Sequence, residues 1–412
     1  MFQLIKALIA SGYIFSVIVS SVSIVCALDY PAVRSFLYAN FRRHVMHAEI
    51  LSGIAAEFSL QWIMLKLISI QLIKLFDYTL ACLFYYIDLI NIVGYGVLFY
   101  EMLTEIAVAQ ETIKKLDSTS QPLKSIVNTI DFRKLVNPFW TSKGIKKHPN
   151  ITYATNEEIQ EALKTTNYDY NQPSRMMLDV YTYGEKSKAR PVLMLIHGGA
   201  WRIGSKNTLY PHEKILLTEN NWVVVNINYR LAPVNAYPTH LCDVKRAIRW
   251  VKQNIASFGG NPDFIVLSGD SAGGHLSAMA SMTMNDPQFQ PGFEEVDTSV
   301  RGVVSLSGAL DMMSAPHHAD YFCKQVSNLD RVDMEFLSKH SPAQVIPRAK
   351  EQNCIVPFLL IAGNRDSLVE IDINNKFKAT FDEGKRYDLY QIQENHSLTF
   401  SPLVTGSPDE CT

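Results

Sequence analysis

The sequence predicts an α/β fold: a mostly parallel central sheet with helices on both faces, preceded by an N-terminal helical region rich in apolar residues. Three observations carry this. From Ile151 onward, short apolar runs alternate with stretches of helical spacing, the pattern of strands buried between two helical layers. Ahead of them, Met1 to Tyr100 holds long apolar stretches with isolated charges. Between an apolar run and a helix start, Asp263 to His275 carries a Gly-x-Ser-x-Gly turn.

The N-terminal region comes first. Lys6 precedes an uncharged run from Ala7 to Leu28, long enough for a membrane span of about 20 residues. A cleaved signal peptide is the rival, given the small residues near Val25-Cys26-Ala27; the apolar sequence that follows favours an uncleaved anchor. Pro31 to Glu49 is polar and carries Arg34, Arg42 and Arg43, which assigns this loop to the cytoplasmic side. Tyr78 to Tyr100 is the second candidate span, with Asp88 its only charge. Ile50 to Ile73 reads equally as a span or as an amphipathic helix in the interface, and a buried helical bundle is a third reading of the region. Two spans would put the remainder outside or in a lumen, three in the cytoplasm. Residues 1–110 are therefore expected to be a membrane region of two or three helices, with membrane lipid as partner. Residues 111–150 are expected to be a linker, broken at Ser118 to Pro122, Asn137-Pro138 and His148-Pro149-Asn150.

The α/β part is expected over 151–405, with 406–412 a tail. Strands are expected at Met176 to Tyr183, Pro191 to Ile196, Trp222 to Asn228, Ile265 to Leu267, Arg301 to Leu306, Pro357 to Ala362 and Tyr387 to Gln393. Helices are expected at Pro211 to Glu219, Thr239 to Phe258, after Ser271, and at Ile371 to Phe381. About 312–355 departs from the alternation and reads as a cap insertion, with Tyr321, Phe322, Met334, Phe336 and Leu337 available to cover a ligand.

The turn Gly269-Asp270-Ser271-Ala272-Gly273 exposes a serine hydroxyl at the carboxyl edge of a sheet, where ligands bind in such folds. The amide of Ala272 and the helix N-terminus face the place where an oxyanion forms. His197-Gly198-Gly199-Ala200-Trp201 follows the strand ending at Ile196, and its consecutive glycines leave amides uncovered, so Gly198 and Gly199 are further oxyanion donors. His197 reads as a residue that holds this loop, and Trp201 as packing. A serine nucleophile needs a base, and the base an orienting carboxylate. Of the eleven histidines, His396 follows the last expected strand; Asp366 follows the strand before it, with Asp372 and Glu370 as rivals. Ser271, Asp366 and His396 then share one sheet edge, in that chain order. His317 and His318 fall in the insertion as solvated or rim residues, and Asp270 and Asp243 read as structural hydrogen-bonding groups.

From about Tyr181 to Phe400 the chain resembles the α/β-hydrolase carboxylesterases of the hormone-sensitive-lipase-like group. Within it, the resemblance is to membrane-anchored actinobacterial esterases and prenylcysteine methylesterase-like enzymes. It rests on His197-Gly198-Gly199-Ala200-Trp201, Asn228-Tyr229-Arg230-Leu231-Ala232-Pro233, Asp243 to Ile248, Gly269 to His275 and Gly363-Asn364-Arg365-Asp366. It implies an α/β-hydrolase fold with Ser271 as nucleophile, His396 as base, Asp366 as its partner, and Gly198, Gly199 and Ala272 as the oxyanion hole. Ala200 departs from the pattern, since many relatives have a third glycine there.

The expected activity is hydrolysis of a small lipophilic or short-chain carboxylic ester through an acyl-enzyme. An amidase or formamidase uses the same parts, and a catalytically inactive membrane-bound binding protein is the rival from another class. No metal or organic cofactor is implied. The formal net charge of -2 with no basic stripe argues against nucleic acid as a partner. The six cysteines include no CxxC pair and read as scattered free thiols.

Overall fold

A computed structural model describes residues 2–28, 32, 36, 51–56, 58–75, 84–117, 143–184, 189–363, 366, 368–382 and 389–394. It divides into two compact units, Trp140–Ala362 with Ile371–Ile392, and Met1–Phe139 with Gly363–Glu370 and Gln393–Thr412.

The sheet lies in the first of these. Eight strands run in the order β1-β2-β4-β3-β5-β6-β7-β8: β1 (Lys146–Thr152), β2 (Met177–Thr182), β3 (Arg190–Ile196), β4 (Val223–Ile227), β5 (Gly260–Asp270), β6 (Gly302–Leu306), β7 (Phe358–Gly363) and β8 (Leu389–Glu394). The pairs β4–β3, β3–β5, β5–β6 and β6–β7 are parallel, whereas β1–β2 and β2–β4 are antiparallel. This is the expected α/β-hydrolase architecture. Val192 to Ile196 and Val223 to Ile227 are buried throughout, because a central parallel strand has helices on both faces.

The expected linker reaches too far. β1 starts at Lys146, with its register broken between His148 and Ile151 and Asn150 at φ 58°. Pro149 cannot donate to a ladder, but an edge strand with a bulge tolerates it. A second element unforeseen in the sequence is α1 (Asn156–Thr165), capped by Thr155 and Glu158 in a reciprocal capping box.

On the sheet lie α2 (Pro211–Thr218), α3 (Thr239–Asn254), α4 (Ala272–Met282) and α5 (Ile371–Asp382). α3 is fixed by charge as well as by apolar burial. Asp243 accepts from the Arg230 backbone amide at 3.0 Å, from Arg230 Nε and Nη2 at 2.8 Å each, and from Arg246 Nη1 at 2.9 Å. The expected structural role of Asp243 is thus what the fold gives it. Between β6 and β7 stand α6 (Pro316–Tyr321), a π-turn at Phe322–Val326, α7 (Met334–His340) and α8 (Pro342–Glu351). Phe322 and Leu337, offered above as ligand-covering residues, are wholly buried and pack instead, whereas Met334 is exposed.

Among the described residues, the other unit holds three long apolar helices: α9 (Phe2–Leu28), α10 (Ser59–Leu75) and α11 (Tyr85–Asp117). The described part of the second candidate span, from Tyr85, runs on without a break to Asp117. Ala7–Leu28 and Tyr85–Thr104 are long and apolar enough to cross a membrane, and Ser59–Ile73 is a shorter apolar helix.

Candidate active site

The nucleophile candidate is placed by β5 and α4. Ser271 sits between them at φ 50°, ψ -114°, a sparsely populated conformation. Its amide donates to Leu306 O of β6 at 2.9 Å, and its carbonyl accepts from His275 N and Ala309 N at 3.1 Å each. The reason for the glycine at each side is steric. A Cβ at Gly273 would stand 1.9 Å from Ile196 O, and one at Gly269 would stand 2.4 Å from the Gly273 carbonyl carbon. The helix can turn this tightly off the strand only with bare backbone at both positions. Among the described residues, nothing hydrogen-bonds the Ser271 hydroxyl.

The oxyanion loop follows β3, on the strand next to β5 in the sheet. Here the structure corrects one donor. The Gly198 amide donates to Asp270 Oδ1 at 2.8 Å, so it is occupied rather than offered to a ligand. A Cβ at Gly198 would lie 2.1 Å from Asp270 Oδ2, which shows how closely the carboxylate is seated. The amides of Gly199, Ala200 and Ala272 donate to no other described residue. Gly199 at φ 114° and Ala200 at φ 52° turn the loop so that two successive amides are left bare. Glycine count was the misleading signal in the sequence: a backbone donor needs the right φ, not a missing side chain.

The loop is held from behind. His197 Nδ1 donates to Gly198 O at 2.7 Å, and the ring stacks on Tyr229 with centroids 4.3 Å apart. The Tyr229 hydroxyl donates to His197 O at 2.8 Å. Burial holds the His197 imidazole down at about 4, so it stays neutral and is a weak proton acceptor near neutrality. Burial pushes the Asp270 carboxyl up, and the Gly198 amide opposes that by stabilising the charged form. Both residues are structural, as expected. Trp201 is buried edge-on against His275 and Phe322, which couples the loop to the π-turn. Tyr321 Oη lies 3.5 Å from Ala200 O.

Asp366 lies three residues beyond the end of β7, and it is buried. Its Oδ1 accepts from the amides of Leu368 and Val369 at 2.9 Å each, which orients the carboxylate. Of its rivals, Asp372 lies in the first turn of α5. His396, two residues beyond the end of β8, lies outside the described residues. Two other buried histidines bond backbone carbonyls: His240 Nε2 donates to Trp201 O of the loop at 3.1 Å and His275 Nε2 to His340 O at 2.9 Å.

The chain is similar to known proteins. Esterase LipQ of Mycobacterium tuberculosis is 32% identical over 298 residues, covering 67% of this chain and 67% of LipQ. The chain belongs to the α/β-hydrolase carboxylesterase family. Residues 178–381 match the family described as BD-FAE, a stretch that includes Ser271 and Asp366. A second relative in this esterase family is the "Probable carboxylic ester hydrolase LipM" of the same organism, 40% identical over 196 residues, 44% of this chain and 42% of LipM. A third is the "Probable isoprenylcysteine alpha-carbonyl methylesterase ICMEL1" of Arabidopsis thaliana, 25% identical over 253 residues, 58% of this chain and 52% of that protein. The match to LipM thus spans less than half of that relative's length, and the match to ICMEL1 about half.

Proposed function

We propose that this esterase-family chain hydrolyses carboxylic esters through an acyl-enzyme on Ser271. The observation that carries this reading is the strained Ser271 backbone between two glycines that tolerate no Cβ, with three amides, at Gly199, Ala200 and Ala272, that donate to no other described residue. His396 takes the Ser271 proton as the hydroxyl oxygen attacks the ester carbonyl. Asp366 orients the imidazole and stabilises its charged form. The oxyanion is met by the Gly199, Ala200 and Ala272 amides at the start of α4, where the helix dipole adds positive potential. As the tetrahedral adduct collapses, His396 gives its proton to the leaving alkoxide, and the alcohol departs. His396 then draws a proton from water as the water oxygen adds to the acyl carbon, and on collapse it gives that proton to Ser271 Oγ, releasing the carboxylic acid and restoring the free enzyme. α6 and the π-turn form the part of the insertion that packs on the oxyanion loop, through Tyr321 and Phe322. Fluorophosphonate labelling of the wild-type chain and its loss in Ser271→Ala test the nucleophile. Labelling that persists in Ser271→Ala would sink it.

The three apolar helices support association with lipid. Their outward faces carry Phe15, Ile68, Leu72, Ile90 and Val93, while Ser20, Ser23, Asn91, Lys66 and Asp88 are buried. A bundle in water has the opposite arrangement. The chain should therefore stay with membranes through alkaline carbonate extraction.

A further inference from the structure

The direction of the three helices is fixed by their contacts. Asn91 Nδ2 of α11 donates to Val17 O of α9 at 3.2 Å, and Ser21 Oγ of α9 donates to Asn91 Oδ1 at 3.0 Å. Further along both helices, a Cβ at Gly94 would meet Ile24 Cγ2 at 2.6 Å. Position advances together on the two helices, so α9 and α11 run parallel. α10 runs the other way. Its Lys66 Nζ donates to Ser16 Oγ at 2.9 Å, and its Ile73 packs with Ala10, Tyr13 and Val17 near the start of α9. Ala55, ahead of α10 in the chain, packs with Ile24 and Ala27 near the end of α9.

Charge follows the same order. Ala7–Leu28 has no charged residue, Ser59–Ile73 has Lys66 alone, and Tyr85 to Tyr100 has Asp88 alone. These two pair with each other, Nζ to Oδ1 at 2.9 Å, both buried. Ser16 and Lys66 lie near the middle of α9 and α10, so the pair is level with the middle of the bundle. Arg34, Arg42 and Arg43 follow the C-terminal end of α9, and Lys114 and Lys115 stand in the last turns of α11. The connection between α10 and α11 contains Asp77 and no lysine or arginine.

Resting on the lipid association proposed above, we infer that the bundle crosses the membrane three times, α10 included, with the Lys66–Asp88 pair at mid-depth. The C-terminal ends of α9 and α11 then share the cytoplasmic face, and the chain from Lys146 onward is cytoplasmic. A lone charge in hydrocarbon is costly, and it is kept where a partner neutralises it inside the bundle. Two crossings would set the arginines after α9 and the lysines of α11 on opposite sides, against the bias of basic residues to one face.

The test uses the full-length chain in intact cells and a membrane-impermeant amine reagent. Exposed lysines of the sheet unit, Lys339 and Lys324 among them, should stay unlabelled in intact cells and label once the plasma membrane alone is permeabilised and internal membranes remain sealed; protection at that stage overturns the cytoplasmic placement. Labelling in intact cells of a chain that remains in the carbonate-washed membrane pellet overturns the three crossings while leaving lipid association intact. A chain in the carbonate supernatant instead overturns the association itself. Lys66→Ala and Asp88→Ala should each lower the carbonate-resistant amount several-fold, and the swap Lys66→Asp with Asp88→Lys should restore it. Single variants at the wild-type level overturn the role of the pair at depth.

Discussion

Ser271 is held in a conformation that costs on the order of 1–3 kcal/mol, and the surrounding backbone leaves it no other. Gly273→Ala should therefore be far more damaging than its size suggests, since its Cβ would enter the Ile196 carbonyl. The expected result is loss of the elbow, read as loss of both fluorophosphonate labelling and thermal stability. Ser271→Ala is the contrasting case: hydrolysis of p-nitrophenyl esters should vanish while the circular dichroism spectrum stays native. Retained hydrolysis above a few per cent would contradict the assignment. Asp366→Asn should lower kcat by about 10⁴. If Asp372→Asn were the damaging change and Asp366→Asn mild, the acid would be Asp372.

Among the elements, α3 depends on a charge cluster that sequence motifs locate but do not explain. Asp243 is wholly buried beneath Arg230 and Arg246, and Glu158 of α1 accepts from Arg246 Nε at 2.9 Å and Arg249 Nη2 at 2.7 Å. Removing one partner of a buried pair costs about 3–5 kcal/mol, because the other charge is left without compensation. Asp243→Ala should therefore lower the urea midpoint sharply, whereas its remaining folded fraction should keep the wild-type response to Ser271-directed probes. An unchanged midpoint would mean that the cluster contributes specificity rather than stability. Glu213 in α2 is the opposite case. Burial pushes its carboxyl up to about 8, so the fold favours the protonated form. That contribution is complete below the ordinary carboxyl value and is lost as pH rises towards 8. Glu213→Gln should then be more stable relative to wild type at pH 9 than at pH 5.

At the scale of the whole molecule, buried histidines set the acid limit. Burial holds His197, His240 and His340 down at about 4 and His275 at about 3. The unfolded chain binds their protons near the ordinary value of about 6.5. Their contribution to stability is therefore complete above that value and is lost progressively as pH falls towards 4. Four histidines outweigh the opposing trend of Glu213, so the urea midpoint should fall between pH 7 and pH 4.5. A flat midpoint over that interval would show that these rings take up protons without unfolding. A chain starting near Thr119 should be soluble without detergent and keep its hydrolytic activity, because the sheet unit has its own buried core.

The sequence by itself determined the order of β2 to β8 and of α2 to α5 in the sheet unit, and the elbow at Ser271. These are written in local terms, as apolar runs, helical spacing and small residues at fixed offsets. It also marked Asp366 as the residue after β7, since connectivity carries a residue to the end of its strand. It did not give β1, because Pro149 reads as a break until an edge position makes the bulge harmless. Nor did it show that Gly198 is spent on Asp270 while the Ala200 amide donates to no other described residue: that depends on φ angles and on a carboxylate 72 residues away. Ile50 to Ile73 stayed ambiguous for the same reason. Lys66 is a blemish on an apolar helix when read alone, and the inward half of a pair once α11 brings Asp88 to 2.9 Å. Motif and period are properties of neighbours along the chain. Donor occupancy and charge compensation belong to neighbours in space, and only the tertiary structure decides them.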